Sequence, residues 1–225
     1  MDKFSGLIYG ISTVQDGNMS FRWGEKLQVI EDREKFLKKI GIDVKDTIVM
    51  KSEENWTDIM VVGNEDKTRG VYKIDETRGC GVLITRQKNL CLFLLIADCF
   101  PAVVYDAKLG ILAMVHLGRQ GVDGQLPKLV MKEFISMGSY PENIRVIVGP
   151  GIQKVSYTWT GKLPVDANKW GEFVGKTGKN KWLIDNIGFL RSQFIEIGVL
   201  EENIKISNVD VRTNSNYFSH ARSCA

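Results

Sequence analysis

Two residues that can carry chemistry stand at the ends of apolar runs. Cys99 closes LCLFLLIADC, and His116 comes seventeen positions later at the end of GILAMVH. A thiol beside an imidazole and a helix N-terminus has its thiolate favoured, and it can then act as a nucleophile or bind a metal. The chain has two histidines in all, His116 and His220, so imidazole chemistry has few places to reside. Of the four cysteines, Cys80, Cys91 and Cys224 read as small core hydrophobes, none forms a C-x-x-C pair, and a reducing cytosol keeps all four as thiols. Directly after His116 comes HLGRQGVDG, where Gly118 permits a tight turn whose N–H groups face an anion and Arg119 adds a cation. GPGI at 149–152 follows the strand NIRVIV, and Gly149 and Gly151 there offer a second backbone loop able to cradle phosphate.

The elements that must position these groups are legible as a pattern. Residues 36–50, 134–148 and 194–208 share one plan, a helix ending in glycine followed by a short polar loop and a strand. Leu126, Leu129, Val130, Phe134 and Met137 form one apolar helical stripe, and Ile187, Leu190, Phe194 and Ile197 form another; both read as core faces. Between them lie candidate strands at 58–62, 81–86, 90–98, 102–106 and 110–118. The run LCLFLLIA is apolar at nearly every position, as in a strand covered on both faces. Short loops at 100–102 and 107–110, with Phe100-Pro101 breaking the ladder, predict a meander in which strands 90–98 and 110–116 run parallel. Cys99 and His116 would then share one sheet edge at roughly two strand spacings, about 10 Å.

The 225 residues, 44% apolar and 25% charged, suit one globular α/β domain over residues 1–225. Thirty basic and 27 acidic side chains are interspersed to a net +3 with no basic block, which argues against a nucleic-acid partner. No apolar run approaches the ~20 residues of a membrane helix, and MDKFSGLIYG lacks a signal-peptide core, so no membrane partner and a cytoplasmic location are expected.

With IADCFPAVVYD, VHLGRQG, IVGPGI and YFSHAR in that order, the chain from about Gly10 onward resembles the laccase-domain, or YfiH-like, family. The resemblance implies a single-domain α/β/α sandwich around a mixed sheet. It also implies purine nucleoside phosphorylase activity on adenosine or inosine, with adenosine deamination as a companion reaction and polyphenol oxidase as an older label. The partners are then a purine nucleoside and phosphate, and the cofactor is zinc. Cys99 and His116 fall on two of the family's three metal ligands, while Gly118, Gly149 and Gly151 lie in the turns read above as phosphate cradles and Arg119 offers a guanidinium one position before the family's Arg. The third ligand, a His in a Gln-x-His-Gly segment, aligns with Asn55, with Glu53 at the Gln and Trp56 at the Gly. Asn is a weaker zinc ligand than imidazole, so metal affinity should fall. Glu53, Asp98, a water or His220 are the candidates to stand in.

The chain departs from the family elsewhere too. Arg119 and Gln120 replace Trp-Arg in the turn after His116, Gly81 replaces an Asp, and Val155-Ser156-Tyr157 replaces Cys-Cys-Tyr. The sequence stops before the family's Thr-Gly-Arg stretch. Three readings follow. The first is zinc-assisted phosphorolysis. The second is a metal-free Cys–His thiol hydrolase or deamidase, with Asn55 orienting the imidazole as in the related cytotoxic-necrotizing-factor-like deamidases. The third is a catalytically degenerate homologue that binds a ligand without turnover. Neither a monomer nor a homodimer is favoured by the sequence.

Overall fold

The computed structural model describes residues 6–52, 55–73 and 79–223. Glu53 and Cys224 lie outside them. In chain order the elements are α1 (Lys26–Lys39), β1 (Thr47–Met50), β2 (Ile59–Val61), β3 (Val82–Thr85), β4 (Cys91–Leu94), β5 (Phe100–Asp106), β6 (Ile111–Leu117), α2 (Arg119–Asp123) and α3 (Leu126–Ser136). They continue with β7 (Ile144–Val148), β8 (Thr158–Thr160), α4 (Ala167–Trp170), β9 (Val174–Gly178), β10 (Lys181–Ile184), α5 (Asn186–Glu196), β11 (Ile204–Ile206) and α6 (His220–Ser223).

The three repeated units are present, and each turns at its glycine. Gly41, Gly138 and Gly198 have φ of +80°, +93° and +98°, the left-handed region a residue without Cβ enters cheaply. Strands β7 and β11, delivered by the second and third units, lie parallel at one end of a six-stranded sheet ordered β11-β7-β5-β6-β3-β2. The pairs β7·β5, β5·β6 and β6·β3 are antiparallel and β3·β2 is parallel, so the sheet is mixed.

Alternation along β6 divides the molecule into layers. Ile111, Ala113, Val115 and Leu117 face the helical side, where Val122, Leu126, Val130, Phe134, Leu190 and Phe194 complete the core. On the other face Leu112 and Met114 meet Ile48, Met50 and Leu92 of a separate two-stranded parallel sheet, β1·β4. Helix α1 covers that small sheet from outside through Phe36 and Leu37, against Val49 and Phe93.

Here the structure corrects the meander. Residues 91–94, not 90–98, form the strand, and they pair with β1 rather than with β5. A uniformly apolar run shows that both faces are covered but not by which sheet. Phe100 and Pro101 do not end a ladder; they are the first two residues of β5, opposite Leu117 and His116. Pro101 lacks an N–H but still accepts through its carbonyl from the Gly149 amide at 2.8 Å. The stripe beginning at Leu126 is also separated from His116 by the short helix α2 and by Gln125, at φ +60°. Among the described residues no helix is long and apolar enough to cross a membrane.

Candidate active site

Cys99 immediately precedes β5, and His116 is the next-to-last residue of the antiparallel neighbour β6, opposite Pro101. They are brought together by one strand spacing, not by two parallel strand ends. Gly118 marks the meeting point: a Cβ on it would lie 3.0 Å from Cys99 Sγ and 3.5 Å from His116 Nε2. Any side chain there would occupy the space the two groups share.

Both groups are held neutral. Burial pushes the Cys99 thiol up to about 12, and the Asp98 carboxylate adds to the rise against a smaller opposing pull from Arg119. Burial lowers His116 to about 4. The imidazole is 5% exposed and its Nδ1 has no hydrogen-bond partner among the described residues. Its ring packs against Trp56, with centroids 5.3 Å apart at 56°.

The approach of Trp56 has a backbone cause. A Cβ on Gly81 would lie 2.1 Å from the Trp56 carbonyl oxygen, so the segment after Asn55 descends on β3 only because residue 81 has none. The Gly81 amide then donates to the Asp58 carbonyl at 2.9 Å. Gly81 is thus required by the backbone path of residue 56, whatever side chain that residue carries.

Asp98 sits at φ +78°, a left-handed conformation that Asp tolerates better than most residues. Its carboxylate accepts from the Ser219 hydroxyl at 2.5 Å and from the Ala221 amide at 2.7 Å, and its carbonyl accepts from the Ile152 amide at 2.8 Å. This pins the segment YFSHAR beside Cys99. His220 itself is exposed at the start of α6.

Arg119 is turned toward the centre. Its Nη1 donates to the Pro164 carbonyl at 2.9 Å, and its guanidinium stands 5.4 Å from the centroid of Trp159. It also pulls down the pKa of the Tyr157 hydroxyl, which burial raises by more. Trp159 was not singled out from the sequence, and Tyr157 and Ser219 entered only as members of the segments VSY and YFSHAR. The aromatic residues closely following GPGI were the available signal.

The other two loop glycines serve packing. The Gly149 amide is engaged by Pro101, and a Cβ on Gly149 would meet Ile11 and Pro101 at 2.8 Å. A Cβ on Gly151 would enter the Phe100 ring at 2.4 Å.

A catalytic zinc takes three protein ligands and leaves a fourth position open. Cys99 and His116 supply two donors. The Asn55 amide nitrogen instead donates to the Gly79 carbonyl at 3.5 Å, and the Asp98 carboxylate is committed to Ser219 and Ala221. Among the described residues no group of three His, Cys, Asp or Glu side chains is placed to hold a metal. The donors among the described residues do not fit a three-ligand zinc.

The fold and site define a class: a mixed-sheet α/β protein with a buried His beside a half-buried Cys where the strands β5 and β6 meet. The chain belongs to the family described as multi-copper polyphenol oxidoreductase laccase, whose model matches residues 4–225. It is 27% identical over 208 residues to an adenosine deaminase of an unknown prokaryotic organism, covering 88% of this chain and 78% of that protein. It is 24% identical to the purine nucleoside phosphorylase YlmD of Bacillus subtilis, covering 86% and 72%. Among solved structures, the hypothetical protein YfiH of Bacillus licheniformis superposes with a TM-score of 0.84 at 22% identity, over 92% of this chain and 80% of that one. YlmD of Geobacillus stearothermophilus gives 0.82 at 20% identity over the same shares. These likenesses establish the mixed-sheet α/β fold.

Proposed function

We propose that this chain is a purine nucleoside phosphorylase that cleaves adenosine or inosine with inorganic phosphate at the Cys99–His116 centre. The observation that carries the reading is Arg119, a cation beside Cys99 with Tyr157 and Trp159 around it. That combination offers a receptor for phosphate next to aromatic surface for a base. The names of the relatives supply the substrate class.

In the reaction a phosphate oxygen forms a bond to C1′, the bond from C1′ to the purine nitrogen breaks, and the electron pair leaves with the base, which takes up a proton. Arg119 holds the phosphate. Tyr157, kept protonated by burial, supplies an O–H to the departing purine. Phosphorolysis brings its own anionic nucleophile. Deamination instead needs a water activated at C6.

A thiol hydrolase or deamidase ranks behind this reading because Cys99 and His116 are both neutral near pH 7, so no thiolate–imidazolium pair is set up. The test is incubation with adenosine or inosine in phosphate, following free base and ribose 1-phosphate. Base release that requires phosphate and is lost in Arg119→Gln supports the proposal. Turnover of neither nucleoside would overturn it and leave the ligand-binding reading. Selective alkylation of Cys99 by iodoacetamide at pH 7 would favour the thiol enzyme instead.

A further inference from the structure

Strands β8, β10 and β9 form a three-stranded antiparallel sheet outside the main one, and β8 and most of β9 are exposed to solvent. Its register places Trp182 of β10 opposite Trp159 of β8 on one side and opposite Lys176 of β9 on the other. Residues paired across antiparallel strands share a face, so Trp159, Trp182 and Lys176 form one row. A bulge between Lys181 and Trp182 sets the last pairing: Lys181 faces Gly178, but Trp182 faces Lys176, skipping Thr177.

The row continues into the candidate active site. Arg119 covers the Trp159 ring at 5.4 Å, and Lys176 Nζ stands 5.9 Å from the Trp182 ring centroid. The order outward from Cys99 is therefore cation, indole, indole, cation. Both indole N–H groups turn back into the loop after β8, Trp159 to the Lys162 carbonyl and Trp182 to the Gly161 carbonyl, each at 3.0 Å. Those bonds fix the rings before anything binds. Residues 158–184 also hold five lysines (162, 169, 176, 179 and 181) against two carboxylates, Asp166 and Glu172.

We infer that this sheet is a second part of the binding site, one that selects purine nucleosides carrying a 5′-phosphate over free nucleosides. The inference rests on the purine reading above and extends it. Indole faces stack a base without regard to its hydrogen-bonding edge, and cation–π geometry keeps a positive group at each end of the row. Two strand spacings, roughly 10 Å, separate Trp159 from Lys176, a span on the scale of one nucleotide. Lys176 is the group placed to meet the phosphate.

The experiment is titration of tryptophan fluorescence in phosphate-free buffer, so that no turnover occurs, with adenosine, adenosine 5′-monophosphate and inorganic phosphate as separate ligands. The monophosphate should bind about tenfold or more tightly than adenosine, and that preference should shrink as salt rises. Lys176→Glu should remove the preference, lowering monophosphate affinity far more than adenosine affinity, with Lys176→Gln intermediate. Trp182→Ala should weaken both nucleoside ligands. Equal affinity for the two, an unchanged preference in Lys176→Glu, binding of inorganic phosphate alone with the same affinity as the monophosphate, or binding of none of them overturns the inference. If adenosine is turned over in the phosphorolysis assay while the monophosphate has no advantage, only this inference fails and the proposed activity stands.

Discussion

Arg33 and His116 are both polar side chains sunk into the protein, and each leaves one nitrogen without a partner among the described residues, but they differ in charge and in how many partners the rest of the group finds. Arg33, 1% exposed on α1, donates from Nε to the Met19 carbonyl and from Nη1 to the Gly70 and Val71 carbonyls at 2.6–2.9 Å. Its guanidinium also stands 4.2 Å from the Phe21 ring centroid. Burial lowers its pKa to about 10, which leaves it charged at neutral pH and tying two loops to α1. His116 has lost its charge to burial and keeps an unpartnered Nδ1. A buried ion with several backbone partners is scaffolding, whereas a buried polar group left short of partners beside a thiol is a candidate for chemistry.

The largest effect expected from this contrast is at Arg33. Arg33→Met should destabilise the fold by about 4 kcal/mol, because three carbonyls lose a charged donor, while activity per folded molecule is unchanged. Urea unfolding and active-site titration measure the two. If His116→Phe costs as much stability as Arg33→Met, the distinction between scaffold and working group collapses.

The next effect sharpens the His116 side. Its pKa in the fold is about 4 against 6.5 in the open chain, so unfolding takes up a proton between those values. The resulting stability is fully present above pH 6.5 and is lost as pH falls toward 4, to a total of about 3 kcal/mol. Unfolding free energies at pH 7 and pH 4 should show this loss in the native chain and not in His116→Phe.

Asp98 lies between the two cases, since it is a well-partnered group inside the candidate site. Asp98→Ala should cost about 2 kcal/mol and raise amide exchange selectively in residues 211–223. Exchange that rises equally across β5 and β6 would show that the tie is not local.

The smallest effect probes the metal corner. Asn55→His combined with Trp56→Gly should raise zinc affinity at least about tenfold, roughly 1.4 kcal/mol, as read by competition with a chromophoric chelator. Unchanged affinity would mean that the corner is too far from Cys99 and His116 to complete the donor set.

The three helix–glycine–strand units could be read directly because each depends on a local rule: a stripe at helical spacing and a glycine at a left-handed position. Placing β4 depended on partners distant in sequence, and its uniform hydrophobicity carries no label for them. Cys99 and His116 stood out by residue type and context. Their juxtaposition, however, comes from antiparallel pairing through Pro101 rather than from parallel strand ends. The row Arg119–Trp159–Trp182–Lys176 was out of reach of pattern reading, since a single bulge at Thr177 decides which residue faces Trp182. The need for glycine at 81 was likewise hidden, because it is a matter of clearance from the backbone of residue 56.

The bonds from Asp98 to Ser219 and Ala221 join positions 121 and 123 apart in the chain. Closing so long a loop is entropically slow and becomes favourable only once the intervening strands have paired. The Cys99–His116 juxtaposition is local to the β5–β6 hairpin, but the clasp over it waits on the rest of the fold. A partly folded intermediate would leave Cys99 open to oxidants, so the interval before that clasp forms is when the thiol is most at risk of damage.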